Sequence, residues 1–267
     1  MNHRSFYKPN IVNKNMFKNK RGQITLFVII AILIVGIALI FFLWIKPNYI
    51  QSSSGKPYLD QCVEDSVNNA VLELGKQGGY KDPEFSYLYQ SEKTAYLCYT
   101  EEYYKQCIVQ EPFLIQHFKE NLKSRIQKDV ESCYENSVEE LRREGYDVSQ
   151  GIPNFEIELQ PAKTIIQIQA PTTVTKETAQ KFNKINVEIN SPIYNILMIA
   201  TSVLQQEAKY GDSDVTSMMV FYPDLIINKL KQGEGTKIYI IEDKQSKIKF
   251  QFASRSLVFP PGYNLVQ

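Results

Sequence analysis

The chain has 267 residues, of which 43% are hydrophobic and 22% are charged, a composition typical of folded proteins. Lys and Arg total 30 against 29 Asp and Glu, and six of the basic residues but none of the acidic ones precede residue 24. The remainder therefore has 24 basic and 29 acidic residues, a formal charge of −5. That charge is a poor match for nucleic-acid binding, which requires a basic surface, so we expect no nucleic-acid partner.

The first predicted element is a membrane helix over residues 24–45. These read ITLFVIIAILIVGIALIFFLWI and contain no ionisable group. Such a helix is about 33 Å long, enough to cross a hydrocarbon core of about 30 Å. The leader, residues 1–23, is basic throughout, whereas only Lys46 and Lys56 follow closely on the other side. The positive-inside rule predicts a single-pass protein of the cell membrane, with the lipid bilayer as a partner, a cytoplasmic N-terminus and an extracellular C-terminal ectodomain.

The residues just before this helix resemble a known processing signal. Residues 20–25, KRGQIT, are similar to the class III signal peptide of archaeal type IV pilin-like precursors. The resemblance implies that a prepilin peptidase cleaves between Gly22 and Gln23, and that other pilin-like subunits are partners. Phe27 departs from the family, because many members carry Glu at this fifth mature position. The departure favours a minor or non-filamentous member, and an uncleaved anchor is the alternative.

Residues 46–56 are predicted to form a stalk, because QSSSG at 51–55 has the composition of a flexible linker. Two helices are predicted in the next region, residues 57–147. Apolar residues recur at helical spacing from Tyr58 until Gly75 and the Gly78–Gly79 pair, and again from Pro112 until about Gly145.

The four cysteines are predicted to form two disulfides. All four follow the membrane segment, so they lie in an oxidising compartment if the predicted topology holds. Of the three connectivities, we favour Cys62–Cys133 and Cys98–Cys107. Cys62 and Cys133 lie along the two apolar helical stripes, whereas the other pair brackets the short segment YTEEYYKQ. A zinc site is the competing interpretation, but the region has no CxxC pair and only one histidine, so we expect no metal and no cofactor.

Residues 148–267 are predicted to be mostly strands around one helix. Alternation at 155–159 and 165–170 indicates a hairpin around residues 160–162, whereas 174–189 is ambiguous. Ser191, Pro192 and Gly211 bound a strongly apolar helix. Strands follow at 225–230, 237–241 and 247–253. The predicted fold class is α+β, with a disulfide-linked helical part and a mostly antiparallel sheet packed on a helix, together forming one ectodomain.

The chain also resembles uncharacterised single-pass membrane-anchored proteins of archaea with small genomes. The similar pieces are the leader, LGKQGGY at residues 74–80 and KFQFAS at 249–254. This resemblance implies an anchored protein and no particular activity.

No residue pattern predicts an enzyme. His117 has no apparent catalytic partner and is expected on the solvent-facing side of the second helix. Two S-x-x-K spacings begin at Ser53 and Ser246. The first falls in the stalk and the second in a predicted strand, so neither indicates a catalytic serine. The segment GDSD at 211–214 begins like a calcium loop but lacks the later ligands, so capping of a short helix by Ser213 or Asp214 is the preferred interpretation.

One further feature favours recognition of a partner. Eight aromatic residues lie between Tyr80 and Tyr104, and we select Tyr87, Tyr89, Tyr103 and Tyr104 as candidate recognition residues. Packing of these rings inside the fold is the competing interpretation. Two functions therefore stay open: a pilin-like structural subunit, or a monomeric anchored ectodomain that binds an external ligand or partner protein.

Overall fold

The computed structural model describes residues 28–37 and 55–260. The chain divides into two compact units, Met1–Gln51 and Ser52–Gln267. In the first unit, residues 28–37 are helical, and their large apolar side chains are between 44% and 66% exposed. The other residues of the predicted membrane helix lie outside the described part of the chain. Among the described residues, no helix has both the length and the apolar character needed to cross a membrane.

The described part of the second unit has four helices: α1 (Gly55–Lys76), α2 (Leu114–Arg143), α3 (Ile193–Tyr210) and α4 (Val215–Phe221). The helices α1 and α2 pack along the apolar stripes that the sequence predicts. Cys62 is bonded to Cys133, and Arg125 Nε donates to Glu73 Oε2 at 2.8 Å. Because a higher residue number in α1 faces a lower one in α2, the two helices are antiparallel.

Glycines end α1, α2 and α3 as predicted. After α2, Gly145 has a φ of 85° and donates its N–H to Arg142 O. Gly79 N donates to Leu74 O at 2.9 Å, and both Gly78 and Gly79 have positive φ angles, which closes α1. Gly211 follows α3 at a φ of 78° and donates its N–H to Glu207 O. A Cβ atom on Gly211 would lie 2.3 Å from Leu257 Cβ, so this position requires glycine for its φ angle and for space.

The larger sheet has six strands: β1 (Ser86–Tyr89), β2 (Glu92–Tyr99), β3 (Ile108–Val109), β8 (Leu225–Lys231), β9 (Thr236–Asp243) and β10 (Lys249–Arg255). Their order is β1-β2-β10-β9-β8, and β3 pairs with β2. Pairing is antiparallel except between β2 and β10, which are parallel.

The smaller sheet has four strands: β4 (Asp147–Gln150), β5 (Asn154–Gln160), β6 (Lys163–Thr175) and β7 (Ala179–Asn190). The long β6 pairs with all three others, each time antiparallel. The predicted hairpin is present, since Gln160 pairs with Lys163 and Ala162 takes a φ of 63° in the turn. The ambiguous segment 174–189 contains the β6–β7 turn and most of β7.

The α+β class with antiparallel-rich sheets is confirmed, and one hydrophobic core joins the helices to both sheets. Two details differ from the prediction. The β strands divide into two sheets instead of one. The tyrosine-rich region also contributes the strands β1, β2 and β3 to the larger sheet, in which β2 pairs with β10.

Candidate functional site

Both disulfides have the pairing favoured by the sequence. Cys62–Cys133 has a Cα–Cα distance of 5.7 Å, and Cys98–Cys107 one of 5.3 Å. Cys98 and Cys107 are buried at 0% and 4% exposure. The second bridge fixes the segment between β2 and β3 at both of its ends, and this segment carries two of the candidate recognition tyrosines.

The first half of the tyrosine-rich region is a tight β-hairpin. Tyr89 pairs with Glu92 across a two-residue turn, and both turn residues have positive φ angles, 50° at Gln90 and 67° at Ser91. Two positive φ angles match the twist of hairpin strands but usually call for Asn or Gly. The turn holds β1 beside β2 and so brings their aromatic side chains together.

Three rings form the centre of an aromatic cluster on this hairpin. The ring centroid of Phe85 lies 4.9 Å from that of Tyr96 and 4.7 Å from that of Tyr99, and the Tyr96 and Tyr99 centroids are 5.0 Å apart. Tyr96 is also hydrogen-bonded through its hydroxyl to Thr236 Oγ1 at 2.9 Å. Tyr96 and Tyr99 are partly buried, whereas Phe85 remains 48% exposed, so packing explains part of the aromatic content.

Arg255 joins this cluster to the disulfide-bounded segment. Its guanidinium lies 6.0 Å from the Tyr99 ring centroid and 5.6 Å from that of Tyr103. Its Nη1 donates to Thr100 O. Tyr103 remains 45% exposed, so one ring beside a cation faces solvent at the edge of the cluster.

The other three predicted recognition tyrosines have contacts of their own. The centroid of Tyr87 is 6.5 Å from that of Tyr96, and burial together with Glu234 raises the pKa of Tyr87. Tyr89 accepts a hydrogen bond from Gln90 Nε2 near the turn. Tyr104 is 52% exposed and makes an edge contact with Phe259. Recognition through these residues stays a prediction.

The prediction that His117 faces solvent is wrong, because its side chain is largely buried beside Tyr80 and Glu111. Its side chain is only 16% exposed, its ring centroid is 4.2 Å from that of Tyr80, and its Nδ1 is 3.6 Å from Glu111 Oε2. Tyr80 donates its hydroxyl proton to Glu111 Oε1. Burial, followed by the hydrogen bond and charge of Glu111, raises the pKa of Tyr80. These contacts attach the connection after α1 to the start of α2.

A shallow groove of about 590 Å³ lies at the junction of α3 and α4. Its lining includes Tyr210, Asp212, Asp214 and Lys229. Asp214 caps α4 by accepting hydrogen bonds from Ser217 N and Oγ, as predicted for this segment. Lys229 Nζ lies 3.0 Å from both carboxylate oxygens of Asp212. The carboxylate of Asp212, which a calcium ion would need as a ligand, is therefore paired with a lysine.

A buried ionic cluster lies beside this groove. Glu207, on α3, is 0% exposed, and its Oε1 accepts from Lys237 Nζ at 2.8 Å and from the Tyr239 hydroxyl at 2.5 Å. Its Oε2 accepts from Ser254 Oγ at 2.7 Å. Lys237 Nζ donates further to Gly211 O at 2.6 Å and lies 3.3 Å from Asp212 Oδ1. Burial and the charge of Glu207 raise the pKa of Tyr239.

Sequence reasoning missed this cluster, although a signal was present. Glu207 is separated by three and four residues from the apolar Leu204 and Val203, so it continues the apolar face of α3. Lys237 begins the alternating run of β9 on the face that includes Tyr239 and Ile241. Charged residues at two predicted core positions indicate a buried pair, because a lone buried charge is too costly.

The remaining sequence candidates are structural or fall outside the described residues. Ser246 Oγ donates to Asp243 Oδ1 at 2.8 Å in the turn between β9 and β10. Gly22, Gln23, Phe27 and Ser53 lie outside the described residues. The described part of the chain has no group of three or more His, Cys, Asp or Glu residues arranged to bind a metal ion.

Comparison with known proteins gives no family assignment, since no family model, curated protein or solved structure has a significant match to this chain.

Proposed function

We propose that the protein is a membrane-anchored surface protein whose ectodomain lies outside the cell. The observation that carries the proposal is the helix at residues 28–37, in which every large apolar side chain is at least 44% exposed. A helix that is apolar all round requires a nonpolar environment, and a lipid bilayer supplies one. The ten residues continue in both directions as uncharged apolar sequence from 24 to 45.

The disulfides support the extracellular side of the proposal. All four cysteines of the second unit are paired, and persistent disulfides are typical of oxidising compartments. The basic residues that precede residue 24 favour the same orientation through the positive-inside rule.

Two experiments test this topology. Protease added to intact cells should degrade the ectodomain, and non-reducing peptide mapping should recover Cys62–Cys133 and Cys98–Cys107. An ectodomain that becomes accessible only after the cells are lysed, or cysteines that are free in the native protein, would contradict the proposal.

Within this proposal, the first candidate role is a pilin-like subunit. Its support is the similarity of residues 20–25 to a class III signal peptide. Sequencing the N-terminus of protein purified from its own membrane tests it. A chain that begins at Gln23 supports processing by a prepilin peptidase, whereas a chain that keeps residues 1–22 argues for an uncleaved anchor.

The second candidate role is an anchored binder, and the exposed ring of Tyr103 beside Arg255 favours it. Substitution of Tyr103 and Tyr104 by Ser should abolish attachment of the cells to a surface or partner without unfolding the ectodomain. The matched control is Tyr222→Ser, which changes a tyrosine of similar exposure on the connection between α4 and β8. Equal attachment by the wild type, the double Tyr103 and Tyr104 variant and the Tyr222 control would count against recognition at this site.

A further inference from the structure

The cluster of Lys237, Glu207 and Asp212 has the arrangement needed to form a covalent bond. Lys237 Nζ lies 3.3 Å from Asp212 Oδ1 and 2.8 Å from Glu207 Oε1. The lysine side chain is only 7% exposed and Glu207 is fully buried, whereas the side chain of Asp212 is 53% exposed. An amine, an acceptor carboxyl and a second, buried carboxyl therefore meet where β9 passes the end of α3.

We propose that Lys237 and Asp212 condense into an intramolecular isopeptide bond, with Glu207 as the group that moves the proton. In this reaction the bond between Lys237 Nζ and Asp212 Cγ forms, and one C–O bond of the Asp212 carboxyl breaks. The ammonium group loses two of its three protons, and they leave with the oxygen as water. Charge is conserved, because one cation and one anion become a neutral amide, and no other reactant is needed.

Each neighbouring side chain has a distinct part in this chemistry. An ammonium ion is not a nucleophile, so Lys237 must first give a proton to a base, and Glu207 Oε1 is within hydrogen-bond distance of it. Tyr239 and Ser254 donate to the Glu207 carboxylate, which holds it in position. Lys229 Nζ contacts both oxygens of Asp212 and so places positive charge where negative charge develops during attack.

Geometry favours the condensation. The Lys237 amine is held in place by Gly211 O as well as by the two carboxylates, so attack is effectively intramolecular. The Asp212 side chain borders the open groove, which gives the released water a path to solvent.

Intact mass measurement of the fully reduced full-length chain tests the proposal. The expected mass is lower than the sequence mass by one water molecule, after any N-terminal processing is taken into account. Peptide mapping should then recover one branched peptide that joins Lys237 to Asp212. A chain with the unmodified sequence mass would overturn the proposal, as would a branch from Lys237 to Glu207.

Variants identify the role of each residue. Lys237→Arg and Asp212→Ala should each restore the full sequence mass, because either the amine or its acceptor is missing. Glu207→Gln keeps both reacting groups but removes the base, so the modified fraction should fall at least tenfold. Asp214→Ala is the matched control and should keep the bond. Unchanged condensation in Glu207→Gln would overturn the role of Glu207, and the wild-type mass remains decisive if a variant does not fold.

Discussion

The two lysines that contact Asp212 differ in burial, and their substitution should have different costs. The side chain of Lys237 is 7% exposed and pairs with the fully buried Glu207. The side chain of Lys229 is 19% exposed, and among the described carboxylates it pairs only with Asp212. Relative to the chain in which Lys237 is still a free amine, Lys237→Met leaves a buried carboxylate without its cation, which costs about 3–5 kcal/mol. Lys229→Met removes a pair nearer the surface and should cost no more than about 1 kcal/mol.

Urea unfolding of the two lysine variants measures this difference. The double substitution Glu207→Met with Lys237→Met should recover part of the loss, because no lone buried charge remains. Equal stability of Lys237→Met and Lys229→Met would show that the Glu207 pair is not a dominant contact.

Gly211 and Gly145 allow backbone strain to be separated from steric overlap. Both have positive φ angles, 78° and 85°, but a Cβ atom at Gly145 meets nothing within 4 Å. Gly145→Ala should therefore cost about 1 kcal/mol for the φ angle alone. Gly211→Ala adds the overlap with Leu257 and should cost about 2–4 kcal/mol.

The thermal unfolding midpoints of the two alanine variants give the comparison. If Gly211→Ala were no more destabilising than Gly145→Ala, the close approach between Gly211 and Leu257 would not be a constraint on the fold.

At the level of elements, Tyr80 and Glu111 join the connection after α1 to the start of α2, and this contact predicts sensitivity to alkali. The pKa of Tyr80 is raised in the folded state, whereas tyrosine in an unfolded chain titrates near about 10. The folded protein therefore holds this proton more tightly. Its contribution to stability is complete below pH about 10 and is lost as the pH rises further.

Tyr80→Phe tests this linkage. The variant should lose about 1 kcal/mol of unfolding free energy at pH 8, because Glu111 loses a hydrogen-bond donor. Between pH 9 and about 11, however, it should lose less stability than the wild type. Tyr239 titrates in both proteins and so does not affect the comparison. Parallel stability curves for the two proteins would contradict the assignment.

The helices and the later strands could be predicted because their signals are local. Apolar spacing predicted α1, α2 and α3, and glycines marked all three helix ends. The hairpin of β1 and β2 was not recognised, because its turn is Gln90–Ser91 and lacks the Asn–Gly pair that usually marks such turns.

Contacts between distant parts of the chain limited the prediction of the site. Parallel pairing of β2 with β10 brings Tyr96 beside Ala253, more than 150 residues later. The contacts of Arg255 with Tyr99 and Tyr103 depend on this pairing, and local patterns carry no information about it. The Cys62–Cys133 disulfide was predictable because packing of the two helices brings these cysteines together. The Cys98–Cys107 disulfide was predictable because the two cysteines bracket a short segment.

At the scale of the whole molecule, the proposed anchor predicts how membrane retention responds to charge. Leu33 and Val35 lie near the middle of residues 24–45 and are both 58% exposed. Lysine at both positions should raise the free energy of membrane insertion by about 5–7 kcal/mol. The measurement is the fraction of full-length protein that stays with membranes after alkaline carbonate extraction. The control Leu33→Ala with Val35→Ala removes the same side chains without adding charge and should be retained. If the lysine variant is retained as well as this control, residues 24–45 do not act as the anchor, and the surface location proposed for the ectodomain loses its main support.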